Sequence, residues 1–136
     1  MDTLSKKDRS KRMGLVRAQN TKPEMLVRKL ISGLGFRYRL HTKDIPGTPD
    51  IVFRSRRKLI FVHGCFWHRH PNCSNNRMPK SRIEFWKTKL ERNRKRDLEQ
   101  QARLKKTGWK FLIVWECETR DKELLRRRIE GFLNEA

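Results

Sequence analysis

The sequence predicts an α/β fold: a three-layer sandwich around a central mixed β-sheet, with a structural zinc site at one end. Three observations carry that expectation. Helical and strand periodicities follow one another in the order helix, three strands, long helix, strand, helix. A strand, a crossover helix and a second strand in the later half call for parallel pairing there. A cysteine- and histidine-rich run, Cys65 to Cys73, directly follows one strand, and Cys117 follows another. At 136 residues the chain has about the length of one domain. Residues 1–136 are read as one, with a basic N-terminal arm over about residues 1–18.

Each element has its own signal. In Asn20-Thr21-Lys22-Pro23-Glu24, Thr21 can cap a helix and Glu24 stands where a capping box places its acid. Leu26, Val27, Leu30, Ile31 and Leu34 then repeat at helical spacing until Gly35. Phe36, Tyr38 and Leu40 alternate with Arg37 and Arg39, a strand with one buried face. The turn Pro46-Gly47-Thr48-Pro49 leads into a strand at 50–53. A polar turn, Ser55-Arg56-Arg57, then connects to a strand at 58–63, making an antiparallel hairpin. The pattern from Pro79 to about Lys106 is helical and stops near Gly108. Phe111-Leu112-Ile113-Val114-Trp115 reads as a buried central strand. Leu124, Leu125, Ile129, Phe132 and Leu133 mark a last amphipathic helix.

Charge narrows the partner. Lys and Arg number 35 against 15 Asp and Glu, a formal charge of +20. Basic groups run through the whole chain, as at Lys6-Lys7, Arg56-Arg57-Lys58 and Arg126-Arg127-Arg128. Such a field draws polyanions, with nucleic acid ahead of acidic lipid. The sequence shows no long apolar run, signal peptide or lipidation motif, so a soluble intracellular protein is expected. Three cysteines, an odd number, do not make a simple disulfide framework.

Those cysteines lie beside histidines. Cys65, His68, His70 and Cys73 fall within nine residues. If strands 58–63 and 111–115 run parallel, Cys65 and Cys117 both lie just past their carboxyl ends. A tetrahedral zinc ion takes such ligands. Spacing does not choose between His68 and His70, although ligation by His70 leaves His68 free for chemistry. A tight hairpin sets Asp50 opposite Phe61, on the face of His63. A carboxylate, a main-chain carbonyl and imidazoles then meet at one sheet edge, where magnesium could bind with help from phosphate oxygens. His68 could take a proton from water there. On the long helix, Trp86, Leu90, Asn93, Asp97 and Leu104 share a face, which turns two polar groups inward.

The string Phe61-Val62-His63-Gly64-Cys65-Phe66-Trp67-His68 resembles the very short patch repair (Vsr) DNA mismatch endonucleases. Pro46-Gly47-Thr48-Pro49-Asp50, Asn20-Thr21-Lys22-Pro23-Glu24, Glu84-Phe85-Trp86 and Val114-Trp115-Glu116-Cys117 extend the likeness over about residues 5 to 133. It implies a fold similar to the PD-(D/E)xK restriction endonucleases. It further implies magnesium-dependent nicking of double-stranded DNA 5′ of the thymine in a T:G mismatch. Such mismatches arise by deamination of 5-methylcytosine, and the nick starts very short patch repair. By resemblance Asp50 and the Val62 carbonyl hold magnesium, and His68 is the general base. His63 and Asp97 support the site, and Glu24 lies near it. Cys65, His70, Cys73 and Cys117 hold zinc, and Phe66, Trp67 and Trp86 wedge into the duplex. Trp109 and Trp115 read as core. Against the wider PD-(D/E)xK pattern, Phe61 stands where a second carboxylate belongs and His63 where a lysine belongs. Val62 replaces a threonine seen in some Vsr enzymes. The expected setting is a monomer in the cytoplasm, associated with the nucleoid. The rival readings are a non-catalytic zinc module that binds DNA and a related nuclease without mismatch specificity.

Overall fold

A computed structural model describes residues 20–74 and 77–135. The arm expected at about residues 1–18 lies outside them. The first helix, α1 (Lys22–Gly33), starts where Thr21 Oγ1 accepts from the Glu24 N–H at 3.3 Å. It buries Val27 and Ile31, and Gly35 leaves it with a left-handed φ of +87°. The strand expected over Phe36 to Leu40 is reduced to β1 (Arg39–Leu40). Its partner β2 (Ile51–Phe53) is only three residues long, so the ladder has just Arg39 opposite Val52 and Leu40 opposite Ile51. Phe36 and Tyr38 still pack on the core, so the alternation reported burial beyond the pairing.

A 3-10 turn at Arg54–Arg56, closed by Arg57 at φ +52°, joins β2 to β3 (Lys58–His63). Ile51 pairs with Ile60, the register that extends to Asp50 opposite Phe61. Helix α2 (Ile83–Lys106) begins four residues later than Pro79. Lys80, Ser81 and Arg82 are all exposed, and Arg82 sits at φ +53°, which a right-handed helix cannot include. Strand β4 (Lys110–Trp115) runs parallel to β3, with His63 opposite Trp115. After a 3-10 segment at Glu116–Arg120, Asp121 caps α3 (Lys122–Asn134) by accepting from the Leu124 N–H at 3.1 Å.

The described sheet is mixed, in the order β1-β2-β3-β4. Strand β4 is therefore an edge strand, where the sequence predicted a central one. Its apolar run has a different cause: both faces are covered. Leu112 and Val114 join Ile51, Phe53, Ile60 and the buried residues of α1 and α3. Phe111 and Ile113 join Val52, Leu59, Phe61 and Leu104 of α2 on the other face. An edge strand sandwiched by helices carries the same residues as a central one. The result is helix, sheet, helix, with α1 and α3 on one side and α2 on the other. No described helix is long and apolar enough to cross a membrane.

Candidate active site and metal centre

Alternation along the strands decides which side chains meet. Ile51 and Phe53 face α1 and α3, whereas Val52, Leu59 and Phe61 face α2. By the two-residue period Asp50 and His63 belong to the α2 face as well. They line a cleft of about 840 Å3 together with Glu24, Val62, Trp67, His68, Asn93 and Asp97. Asp50 Oδ2 accepts from the Val62 N–H at 2.7 Å, and its carbonyl accepts from the His41 N–H at 3.1 Å. The carboxyl is pushed up to about 6, chiefly by burial and further by the neighbouring Glu24, although the Val62 N–H opposes this. Phe61 and His63 sit side by side with ring centres 5.6 Å apart, so an apolar ring lines the cleft next to the imidazole.

Glu24 is not used as a capping-box acid. Its backbone N–H takes the Thr21 cap, but its carboxylate turns inward and is 2% exposed. Both oxygens accept from His41 Nε2 at 3.0 Å, and Oε2 also accepts from Arg28 at 3.3 Å. A buried carboxylate needs such partners, and these fix it beside Asp50. His41 was missed in the sequence. A lone histidine after a strand has no spacing partner, and only the fold brings it to Glu24.

Across the cleft, His68 Nδ1 donates to Asp97 Oδ2 at 2.5 Å. A carboxylate can only accept, so the neutral ring carries its proton on Nδ1 and leaves Nε2 as an acceptor. His63 stacks on His68 with ring centres 3.8 Å apart and 9° between planes. Burial and the His68 ring push His63 down to about 3, so it stays neutral. Its Nδ1 is buried without a hydrogen-bond partner. The shared face expected on α2 is present: Leu90 and Leu104 are buried, while Asn93 and Asp97 point into the cleft. Asn93 donates to the Trp67 carbonyl at 3.5 Å.

Phe66, Trp67 and Trp86 form one half-buried aromatic group at the cleft mouth, with centroids 5.1 to 5.8 Å apart. Phe85 extends it outward, 45% exposed, edge-on to Trp86 at 5.3 Å and beneath the Arg82 guanidinium at 4.4 Å. Gly64 permits the tight entry to this loop, because a Cβ there would stand 3.3 Å from the Trp67 ring.

The parallel pairing of β3 and β4 brings Cys65 and Cys117 together. One donor atom each from Cys65, His70, Cys73 and Cys117 lies within 4.8 Å of the others. His70, not His68, is the histidine of this cluster, because His68 is held by Asp97. The His70 N–H donates to the Cys65 carbonyl at 2.9 Å, and its ring stacks on Trp115 at 4.2 Å and 11°. Trp115 is thus only half-buried and orients His70, beyond the core role expected for it. Trp109 does pack with the α2-side core, and the Arg57 guanidinium lies 5.0 Å over it. Burial pushes the Cys65 thiol up to about 12 and raises Cys117 too. Three thiols and an imidazole so close suit a tetrahedral soft-ligand cation.

Residues 1–75 match the family described as DNA mismatch endonuclease Vsr. The chain is 49% identical to the Type II nicking enzyme V.XorIIP of Xanthomonas oryzae pv. oryzae, over 98% of this chain and 97% of that protein. It is 40% identical to the Type II nicking enzyme V.NmeAIP of Neisseria meningitidis, over 98% and 95%. It is also 40% identical to the DNA mismatch endonuclease Vsr of Escherichia coli, over 91% of this chain and 79% of that one. With an endonuclease family matched over more than half its length, and relatives this similar along nearly all of it, the chain belongs to the Vsr DNA mismatch endonucleases.

Proposed function

We propose that this endonuclease nicks one strand of double-stranded DNA on the 5′ side of the thymine in a T:G mismatch, and so begins very short patch repair. The relatives named as nicking enzymes support single-strand scission. The observation that carries the chemistry is the pair Asp97–His68 facing Asp50 across one cleft. His68 Nε2 accepts the proton of the attacking water, while Asp97 fixes the ring tautomer and stabilises the imidazolium that results. His63, neutral and stacked on His68, limits the ring's motion without adding a competing charge.

Asp50 and the Val62 carbonyl would hold magnesium. Val62 already turns its N–H to Asp50, and in an extended strand the carbonyl of the same residue points to the same side. Glu24 adds negative charge beside them. Magnesium when bound supplies positive charge at the scissile phosphate. Cys65, His70, Cys73 and Cys117 would hold zinc, whose work is structural: it ties the 64–74 loop to the sheet. That loop carries His68 and the aromatic pair Phe66 and Trp67, so its position governs both chemistry and recognition.

Phe66, Trp67 and Trp86 wedge beside the mismatch. A mispaired step is easier to unstack than a paired one, which gives these rings a means of discrimination. The monomer is the working unit in this reading. A nicking assay on T:G, T:A and C:G duplexes of one sequence, with magnesium, tests it. The expected result is a nick confined to the thymine strand of the T:G duplex. Equal rates on all three duplexes remove the mismatch specificity. T:G duplexes left intact across a library of flanking sequences remove the proposal.

A further inference from the structure

Glu24, Asp50, Asp97 and Glu116 all line the cleft, and a DNA strand laid in it brings further negative charge. Each of the four carboxylates is engaged within the protein. Glu24 accepts from His41 and Arg28, Asp50 from the Val62 N–H, Asp97 from His68, and Glu116 from the Cys65 N–H at 3.4 Å. The α2 wall carries groups of the other kind. Lys89, Asn93, Arg96 and Gln100 recur at three- and four-residue intervals, and all of them line the cleft. The Lys89 ammonium lies 5.8 Å over the Trp67 ring and 6.0 Å over Trp86, so it belongs to the aromatic mouth. Arg96 is placed differently. It directly precedes Asp97 in the chain, yet among the described residues no carboxylate pairs with it. Its Nη2 donates to Asn93 Oδ1 at 3.0 Å, and Asn93 Nδ2 donates in turn to the Trp67 carbonyl at 3.5 Å. A neutral amide thus orients the guanidinium without cancelling its charge, and most of its N–H donors remain unspent.

We propose that Arg96 is a phosphate-binding residue of the nuclease: its guanidinium grips the non-bridging oxygens of a phosphodiester in the strand to be cut, at or next to the scissile bond. This role rests on the cut strand lying in the cleft, as the proposed function has it. A planar guanidinium matches two phosphate oxygens at once, which the point charge of a lysine does not. On the wall that also carries Asp97, such a contact holds the phosphodiester in place while water attacks. Asn93 is the positioning residue, because it joins Arg96 to the backbone of Trp67 and so keeps phosphate grip and aromatic ring in one frame.

The test pairs substitutions in protein and DNA, in binding titrations without magnesium. T:G duplexes carry a single neutral methylphosphonate at successive positions of the thymine strand, and the zinc-loaded protein is unaltered, Arg96→Gln or Lys95→Gln. Both side chains are exposed on α2, so neither change disturbs the core, and Lys95 does not line the cleft. On ordinary DNA, Arg96→Gln should weaken binding about tenfold and lower the salt slope by about one. At one position, at or beside the phosphate to be cut, the methylphosphonate should weaken the unaltered protein by a similar factor. There it should cost Arg96→Gln less than about twofold, while Lys95→Gln pays the full factor. Costs that add at every position for Arg96→Gln overturn the proposal. So does coupling confined to a phosphate away from the cut, or coupling lost equally in Lys95→Gln. Nicking of the ordinary duplex by the unaltered protein is read separately. A missing nick sinks the proposed function, whereas additive costs with the nick intact sink only the role of Arg96.

Discussion

At the scale of single residues, the site is governed by where burial meets charge. Asp50 is ionised at neutral pH only against its surroundings, since its carboxyl is pushed up to about 6 from 3.8. A folded-state value above the unfolded one means that Asp50 contributes stability below about pH 4. That contribution is lost as pH rises through about 6. In magnesium-free, zinc-loaded protein, Asp50→Asn should therefore match the parent near pH 4. By pH 7 it should be more stable by on the order of 2–3 kcal/mol, a shift of about two pH units. Urea melts at the two pH values check this, and a difference independent of pH would disprove it. Activity should go the other way, with Asp50→Asn nearly inactive but still able to bind DNA. For the proton transfer, His68→Ala should lower kcat by about 10²–10⁴-fold. Asp97→Asn should cost less, because an amide oxygen can still accept from His68 Nδ1. Single-turnover nicking measures both, and equal losses would mean that Asp97 does more than orient the ring.

At the scale of elements, the 64–74 loop depends on two strand ends being neighbours. The β3–β4 pairing sets His63 opposite Trp115, and two residues further along each chain stand Cys65 and Cys117. Cys117→Ser should lose zinc and lower the melting temperature, whereas removal of magnesium should leave melting nearly unchanged apart from the Asp50 effect. Zinc stoichiometry and thermal melts decide it: a melting curve unaltered after verified zinc loss would contradict a structural ion. Helix α2 is anchored differently, by Leu90 and Leu104 at 1% and 0% exposure. Truncating Leu104 to Ala should cost about 2–5 kcal/mol. It should also impair nicking, because Asp97 lies two turns before it on the same face. These elements were legible in the sequence because their apolar periods were long. The short ones were not. With only Arg39 and Leu40 in a ladder, β1 owes its extent to the length of its partner β2, which local pattern does not encode. Helix α2 starts later than its helical pattern indicates, because a left-handed Arg82 leaves no mark on composition.

At the scale of the whole molecule, a charge of +20 makes DNA affinity strongly salt-dependent. The proposed mismatch discrimination must come from elsewhere, because charge is indifferent to sequence. Trp67→Ala should thus leave the salt slope of binding nearly unchanged while reducing the preference for T:G over T:A duplexes. Titrations on both duplexes at several salt concentrations test this. A uniform loss on both would assign Trp67 to packing instead of wedging.

The sequence by itself determined the layers, the hairpin register and the donor set Cys65, Cys73 and Cys117, because periodicity and residue chemistry are local properties. It also placed Asp50 and His63 on one face, since a strand's period of two is fixed by its backbone. Spacing left His68 and His70 open and only the resemblance favoured His70; the tertiary structure brings His70 to the cysteines and turns His68 to Asp97, because two histidines two residues apart differ locally in nothing but where the loop directs them. It alone showed β4 at the sheet edge, since coverage of two faces and a central position select the same side chains. And it alone turned Glu24 from a helix cap into a buried partner of His41 and Asp50, a change that depends on three chain segments meeting at one end of the sheet.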